Sequence, residues 1–255
     1  MRVHGAAAEG FQSAAAEYER ARPGYPAGAV ARIAEVCGIA PGARVLDLAC
    51  GTGKLTRALT GRGATIVGAD PVDAMVRELR RAAPGVPVAE STAEHLCFAT
   101  ASFDAVVVAQ AFHWFDGDAA LAEIHRILRP GGPLTMIWNL RDTTVAWVDR
   151  LNDIFNRYEG DVMRFWRGEW RAAFERTDAF TALQRDEFRY EHTLTRAGVI
   201  DRVLSVSFIA TLSGDERARV VADTQAVIDD DPLTRGRDVI VLPYLTHLYT
   251  CRRIP

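Results

Sequence analysis

The sequence predicts an α/β protein built on a doubly wound, mostly parallel sheet. Three observations carry that reading. Apolar runs of strand length alternate with amphipathic helical stretches from residue 27 to residue 139, the pattern of a sheet covered by helices on both faces. The run Val45–Ala49 passes straight into Gly51-Thr52-Gly53 and then into a helix start, Leu55–Leu59. A later apolar run, Ala64–Asp70, ends in an acid, which puts a carboxylate at the carboxyl edge of the strands, where doubly wound sheets bind ligands.

The elements follow in order. Residues 1–26 are polar and broken by Arg22-Pro-Gly-Tyr-Pro26, a loop or short helix, and a helix follows from about Ala27 to Cys37. Val45–Ala49 has the unbroken apolar character of a buried parallel strand. Ala64–Asp70 is the next strand, Pro71–Met75 turns into a helix, and Ser102–Ala109 and Leu134–Trp138 are later strands. After Asn139 the pattern changes. Residues 143–176 have helical periodicity and many aromatics, with Trp166, Trp170 and Phe174 on one helical stripe. Phe188–Leu194 alternates as a strand, Ala197–Leu212 and Asp215–Ile228 are helical, and Val239–Arg252 is a last strand. Pro243 in that strand implies an irregular start or an edge position.

At 255 residues the chain is expected to fold as one domain with insertions: an N-terminal segment 1–26, a core 27–139, and a helical cap with terminal strands over 140–255. Net charge is −3, so composition makes no electrostatic case for nucleic acid or an anionic membrane. Lys54 is the only lysine among many arginines and alanines, the bias of a high-GC bacterial genome. Cys37, Cys50, Cys97 and Cys251 are scattered; no C-x-x-C pair or His/Cys cluster suggests a metal, and the chain reads as reduced and cytoplasmic. No apolar run reaches membrane-spanning length.

The strand–glycine turn–helix segment makes a cradle, because glycines let backbone approach a ligand and the helix end presents N–H groups. Its details exclude two common ligands. A P-loop needs Gly-Lys-Ser/Thr, and Lys54 is followed by leucine; a dinucleotide fingerprint needs a third glycine, where Thr56 stands. Asp47 within the strand suits a cationic ligand better than a pyrophosphate.

The segment Val45-Leu-Asp-Leu-Ala-Cys-Gly-Thr-Gly53 resembles the first motif of the class I S-adenosylmethionine (SAM) dependent methyltransferases. Four further segments match in order over residues 42–138: Ala64–Asp70, Thr92–Leu96, Ser102–Ala109, and Leu128–Gly132 with the strand after it. The resemblance implies a Rossmann-like sheet of seven strands with an antiparallel terminal hairpin and a helical cap. It implies methyl transfer from SAM, with S-adenosylhomocysteine as product, to a small-molecule acceptor, and it leaves the oligomeric state open. Cofactor contacts are then expected from Asp47, Ala49, Gly51, Thr52 and Gly53; from Asp70, against the ribose hydroxyls; from Pro71 and Met75, against the adenine; from Thr92, Ala93 and Glu94 at the adenine edge; and from Gln110. Thr92 stands where the family more often has aspartate.

Gln110-Ala-Phe-His-Trp-Phe-Asp116 resembles the branch containing trans-aconitate methyltransferases. There His113 is a candidate general base, since imidazole titrates near neutrality, or else it shapes the pocket, with Trp114 as a wall. The segment Tyr18-x-x-x-Arg22-Pro-x-Tyr25-Pro26 resembles the family's lid. Arg22, with Tyr18, is suited to the methionine carboxylate, and Tyr25 to the substrate. Trp138, Arg141 and Trp166 complete the expected substrate contacts. An oxygen acceptor, carboxylate or hydroxyl, is the leading expectation. The alternatives are N-methylation, or a SAM-fold enzyme that catalyses something else, such as a cyclisation.

Overall fold

A computed structural model describes residues 19–160 and 165–255, with the side chain of Trp166 outside that description. Seven strands form one mixed sheet in the order β3-β2-β1-β4-β5-β7-β6. They are β1 Arg44–Leu48, β2 Thr65–Ala69, β3 Val88–Ala89, β4 Ala105–Ala109, β5 Pro133–Arg141, β6 Gln184–Thr195 and β7 Val239–Arg252. β1, β2, β3, β4 and β5 pair in parallel, with Asp47 beside Gly68 on one side and Val107 on the other. The terminal strands make the sheet mixed, as expected. The described chain divides into two compact units. One takes the described residues of 24–138, 163–188 and 246–255; the other takes those of 1–23, 139–162 and 189–245.

The first unit carries the parallel strands. Helix α1 (Ala27–Val36) and helix α2 (Lys54–Leu59) pack Val30, Ile33, Leu55 and Leu59 against Val45, Ile66 and Val107. Leu46, Leu48, Val106 and Val108, on the alternate positions, are also buried, which is why these strands are apolar throughout. Helix α3 (Asp73–Ala82) buries Ala74, Met75, Val76 and Leu79. Helix α4 (Gly117–Ile127) begins at Asp116, whose carboxylate accepts from the Ala119 N–H, a standard N-cap.

The second unit is mostly helical. Helices α5 (Ala146–Tyr158), α7 (Arg196–Leu204), α8 (Ser207–Ala210) and α9 (Gly214–Asp230) enclose a core of Trp147, Leu151, Phe155, Val203, Ile209 and Val220, closed by Leu242 and Tyr244 of β7. Between α5 and α7 in sequence, the short helix α6 (Ala172–Glu175) belongs to the first unit. Ser213 and Glu216 form a reciprocal capping box at the start of α9.

Four expectations need correction. β5 runs on to Arg141, three residues beyond the expected end at Trp138, so Arg141 lies in the strand and not after it. The helical periodicity of 143–176 is not one helix. Gly160 and Gly168 adopt left-handed φ values of 53° and 75°, and after α5 the chain makes 3₁₀ turns at Phe165–Arg167 and Glu169–Arg171 before α6. Residues 166, 170 and 174 therefore do not share one continuous helix. The helix expected over 197–212 breaks after Leu204, where the Ser205 hydroxyl bonds back to the Arg202 carbonyl (2.8 Å) and Val206 is extended. Pro243 lies within β7, which is flanked on both sides by strands. Its carbonyl accepts from the Asp142 N–H (3.0 Å), one residue past the end of β5. Its missing N–H faces the same way, where the ladder has run out.

Gly68 in β2 is fixed by packing. A Cβ there would lie 2.9 Å from the Cys50 sulfur and 3.1 Å from Leu79. Gly68→Ala, which ordinarily strengthens a strand, should instead destabilise the protein by about 1–3 kcal/mol. An unchanged or higher denaturant midpoint would remove this account.

Candidate active site

The site begins with a buried carboxylate. Asp47 is fully buried in β1. Its Oδ2 accepts a 2.6 Å hydrogen bond from the Thr56 hydroxyl, while Oδ1 has no hydrogen-bond partner. Burial pushes the acid up to about 7; nearby Asp70 adds to the rise and the Thr56 bonds oppose it. Thr56 occupies the position that a dinucleotide fingerprint gives to glycine. Sequence reasoning used it only to exclude that ligand and missed its bond to Asp47.

The chain leaves β1 through three left-handed residues, Ala49 (φ 56°), Gly51 (φ 55°) and Gly53 (φ 83°). A non-glycine residue in that region is strained, and such strain gathers at binding sites. The two glycines answer different demands. A Cβ on Gly51 would meet nothing within 4 Å, whereas one on Gly53 would lie 2.2 Å from Leu79. Gly51 thus leaves open space, and Gly53 lets α3 pack closely. Thr52 between them is buried, and its carbonyl accepts from Arg57 (2.7 Å).

Asp70 follows β2 and is 5% exposed. One oxygen accepts from the Gly51 N–H (2.8 Å) and the other from the Val72 N–H (2.9 Å). The carboxylate therefore ties the glycine turn to the end of β2. Burial raises it to about 6, against those two backbone bonds. Pro71 is exposed and Met75 is buried.

The segment Thr92–Leu96 is fastened from below. The Leu96 N–H bonds Glu123 (2.8 Å), and Arg126 bonds the Leu96 and Phe98 carbonyls. Arg126 also holds the Glu123 carboxyl below its usual range. Ala93 is buried, Thr92 is half-buried, and Glu94 accepts from the Asp116 N–H (3.1 Å), so it braces the start of α4.

At the end of β4, Gln110 is left-handed (φ 60°), and a 3₁₀ turn, Phe112–Trp114, presents His113. The Trp138 indole N–H donates to His113 Nδ1 at 3.1 Å. An indole nitrogen can only donate, so Nδ1 is an acceptor and the neutral ring carries its hydrogen on Nε2. Trp114 lies against His113, ring centroids 4.8 Å apart. Trp138, expected at the substrate, is 1% exposed. It is locked among Phe165, Trp170 and Tyr249 and can reach a ligand only through the histidine it orients.

The remaining residues singled out in the sequence have these local partners. Tyr25 packs partly buried against the α1 core. Cys50 is buried and its thiol is raised well above its usual value by burial, which suits a space-filling residue. Arg22 and Arg141 belong to the helical unit. Arg22 donates to the Ser205 carbonyl (3.0 Å). Arg141 bonds Asn152 and lies over the Phe155 ring (3.9 Å). Tyr18 lies outside the described residues.

The fold and this edge define a class: a doubly wound sheet whose first strand ends in an acid and a glycine turn clasped by a second acid. Residues 46–136 match a methyltransferase-domain family. The chain is 37% identical over 236 residues to an uncharacterized methyltransferase of Mycobacterium tuberculosis, covering 92% of each chain. It is 32% identical over 246 residues to an uncharacterized methyltransferase-like protein of Schizosaccharomyces pombe, covering 96% of each. Among solved structures it resembles a putative type II methyltransferase from Anaeromyxobacter dehalogenans (24% identity, TM-score 0.65, 92% of this chain and 99% of that one). The chain belongs to the class I SAM-dependent methyltransferase family.

Asp47 has a consequence for stability. Its folded value, about 7, exceeds the unfolded value near 4, so the fold prefers the protonated acid. That preference stabilises fully below about pH 4 and is lost as pH rises to about 7. Asp47→Asn should therefore be more stable than the wild type at pH 8, by about 1–3 kcal/mol, with the difference vanishing toward pH 4. Parallel melting curves across that range would instead mean that Asp47 ionises freely in the fold.

Proposed function

We propose that this methyltransferase binds SAM at the Asp47–Gly51–Asp70 edge and methylates an oxygen of a small molecule, with a carboxylate as the acceptor. When bound, SAM supplies a methyl group on a cationic sulfonium, poised for in-line displacement. The residues fit such a ligand. Asp47 holds a buried oxygen with no hydrogen-bond partner among the described residues, and a cation bound beside it would favour the ionised carboxylate that burial opposes. Asp70 has both oxygens pinned by backbone N–H groups, and each keeps a lone pair for a ligand hydroxyl. Gly51 leaves room beside them. The net charge of −3 favours a small-molecule acceptor over a nucleic acid.

The observation that carries the choice of acceptor is the Trp138–His113 bond. A hydroxyl or amine acceptor needs a base. To act as one, His113 would have to take a proton at Nδ1, where the indole N–H already points. The other nitrogen carries a hydrogen in the neutral ring and offers no lone pair. The indole N–H thus opposes base action at Nδ1, and of the two roles expected for His113 we favour the shaping of the acceptor pocket. A carboxylate is nucleophilic once ionised and needs only alignment and exclusion of water.

Two measurements test this reading. Asp70→Ala should weaken SAM binding by about 1–3 kcal/mol in calorimetry; a folded variant with wild-type affinity would remove Asp70 from the cofactor site. With methyl-labelled SAM and a panel of small acids, alcohols and amines, the labelled product should be an alkali-labile ester. His113→Gln, which keeps a donor, should lower kcat/KM by no more than about tenfold. A loss of 10²–10⁴-fold, the range of a general base, together with disappearance of a limb in the pH–rate profile, would return His113 to the base role. An alkali-stable product would remove the carboxylate acceptor.

A further inference from the structure

Arg202 lies on α7 between Val199 and Val203, both in the apolar core of the helical unit, and is itself only 5% exposed. An arginine stays charged at every relevant pH, so burial without an anion is costly. Arg202 has no ion pair among the described residues. Its Nε donates to the Tyr244 hydroxyl at 2.9 Å, its guanidinium lies 6.0 Å from the Tyr244 ring, and its buried Nη1 has no partner. Acids of the same unit are engaged elsewhere: Asp142 with Thr144, and Asp231 with the Leu233 N–H and Arg150. The Tyr244 hydroxyl accepts from Arg202 and so keeps its own hydrogen to donate. Tyr244 is 1% exposed. Two buried donors, one of them carrying a full positive charge, thus stand side by side without an acceptor.

We propose that Arg202 and Tyr244 form a binding site for the carboxylate of an organic small molecule. One guanidinium and one hydroxyl balance a single negative charge. A phosphate dianion would leave a charge uncompensated among Val199, Val203 and Leu242. Those neighbours suit an apolar chain attached to the carboxylate. The site stands independently of the SAM-binding edge, because every residue in it belongs to the helical unit.

The test uses the full-length protein without SAM, so its outcome does not depend on the methyl-transfer reading. Hexanoate at millimolar concentration should raise Tm, whereas hexanamide and inorganic phosphate should not. Arg202→Met keeps length and apolar contact while removing the buried charge; it should fold with a Tm at or above that of the wild type and lose the response to hexanoate. Tyr244→Phe should weaken that response by about tenfold in apparent affinity, the scale of one hydrogen bond. The proposal is overturned if the wild type shows no carboxylate response, or if Arg202→Met responds equally.

Discussion

The glycine turn after β1 is held by carboxylates rather than by its own backbone. Asp70 takes the Gly51 N–H into one oxygen and the Val72 N–H into the other, joining the ends of two neighbouring parallel strands. Inside that clasp, Asp47 is buried with only Thr56 to answer one oxygen. Burial raises both acids' preference for the proton, and Asp70 adds to the rise at Asp47. The arrangement is tolerable only because parallel strands packed on both faces fix the backbone around it, and because left-handed Ala49, Gly51 and Gly53 turn the chain sharply enough to leave space at Gly51. Stability is given up at this edge to keep a site that favours positive charge.

The far side of the same edge follows a different rule. His113 is positioned by a tryptophan with no freedom of its own. Trp138 sits within 6 Å, centroid to centroid, of Phe165, Trp170 and Tyr249, and Arg171 covers that cluster with a 2.7 Å bond to the Tyr249 hydroxyl. An indole so enclosed cannot swing away to free Nδ1. Phe165 and Trp170, from the aromatic stretch that in sequence read as a helical stripe, therefore act one step back from any ligand, through the tautomer that Trp138 imposes on His113.

The parallel half of the fold was legible because it depends on local pattern. Unbroken apolar runs, the glycine turn and the acid after β2 each imply their structure within a few residues, and the order of Asp47, Gly51, Gly53 and Asp70 along the chain pointed to the edge they build. What escaped was set by partners far away in sequence. Thr56 looks like a failed glycine until Asp47 is placed beside it. Trp138 looks like a pocket wall until its N–H meets a ring 25 residues earlier. The stripe of Trp166, Trp170 and Phe174 obeyed helical spacing, but Gly160 and Gly168 in left-handed conformations override spacing. Arg202 gave no signal, because a lone arginine in an amphipathic helix reads as solvent-facing; only its burial, and the Tyr244 hydroxyl 42 residues on, mark it.

Among the described residues, each compact unit buries an ionisable group with little to stabilise its charged form, and the two groups are of opposite kind. Asp47 is an acid among parallel strands, its ionised form disfavoured by burial and relieved by a single hydroxyl. Arg202 is a cation among helices, and its partial relief is likewise a single hydroxyl, used as an acceptor. Evolution of stability alone would replace both, since an apolar side chain of similar volume removes the desolvation cost. Retaining them has a physical rationale if each is completed by a ligand of opposite charge, a cationic methyl donor for the one and an organic anion for the other. An enzyme that joins a cation to an anion gains by storing the complementary charges separately. The two sites then differ in the charge they select, because a sulfonium is disfavoured beside Arg202 and favoured beside an ionised Asp47.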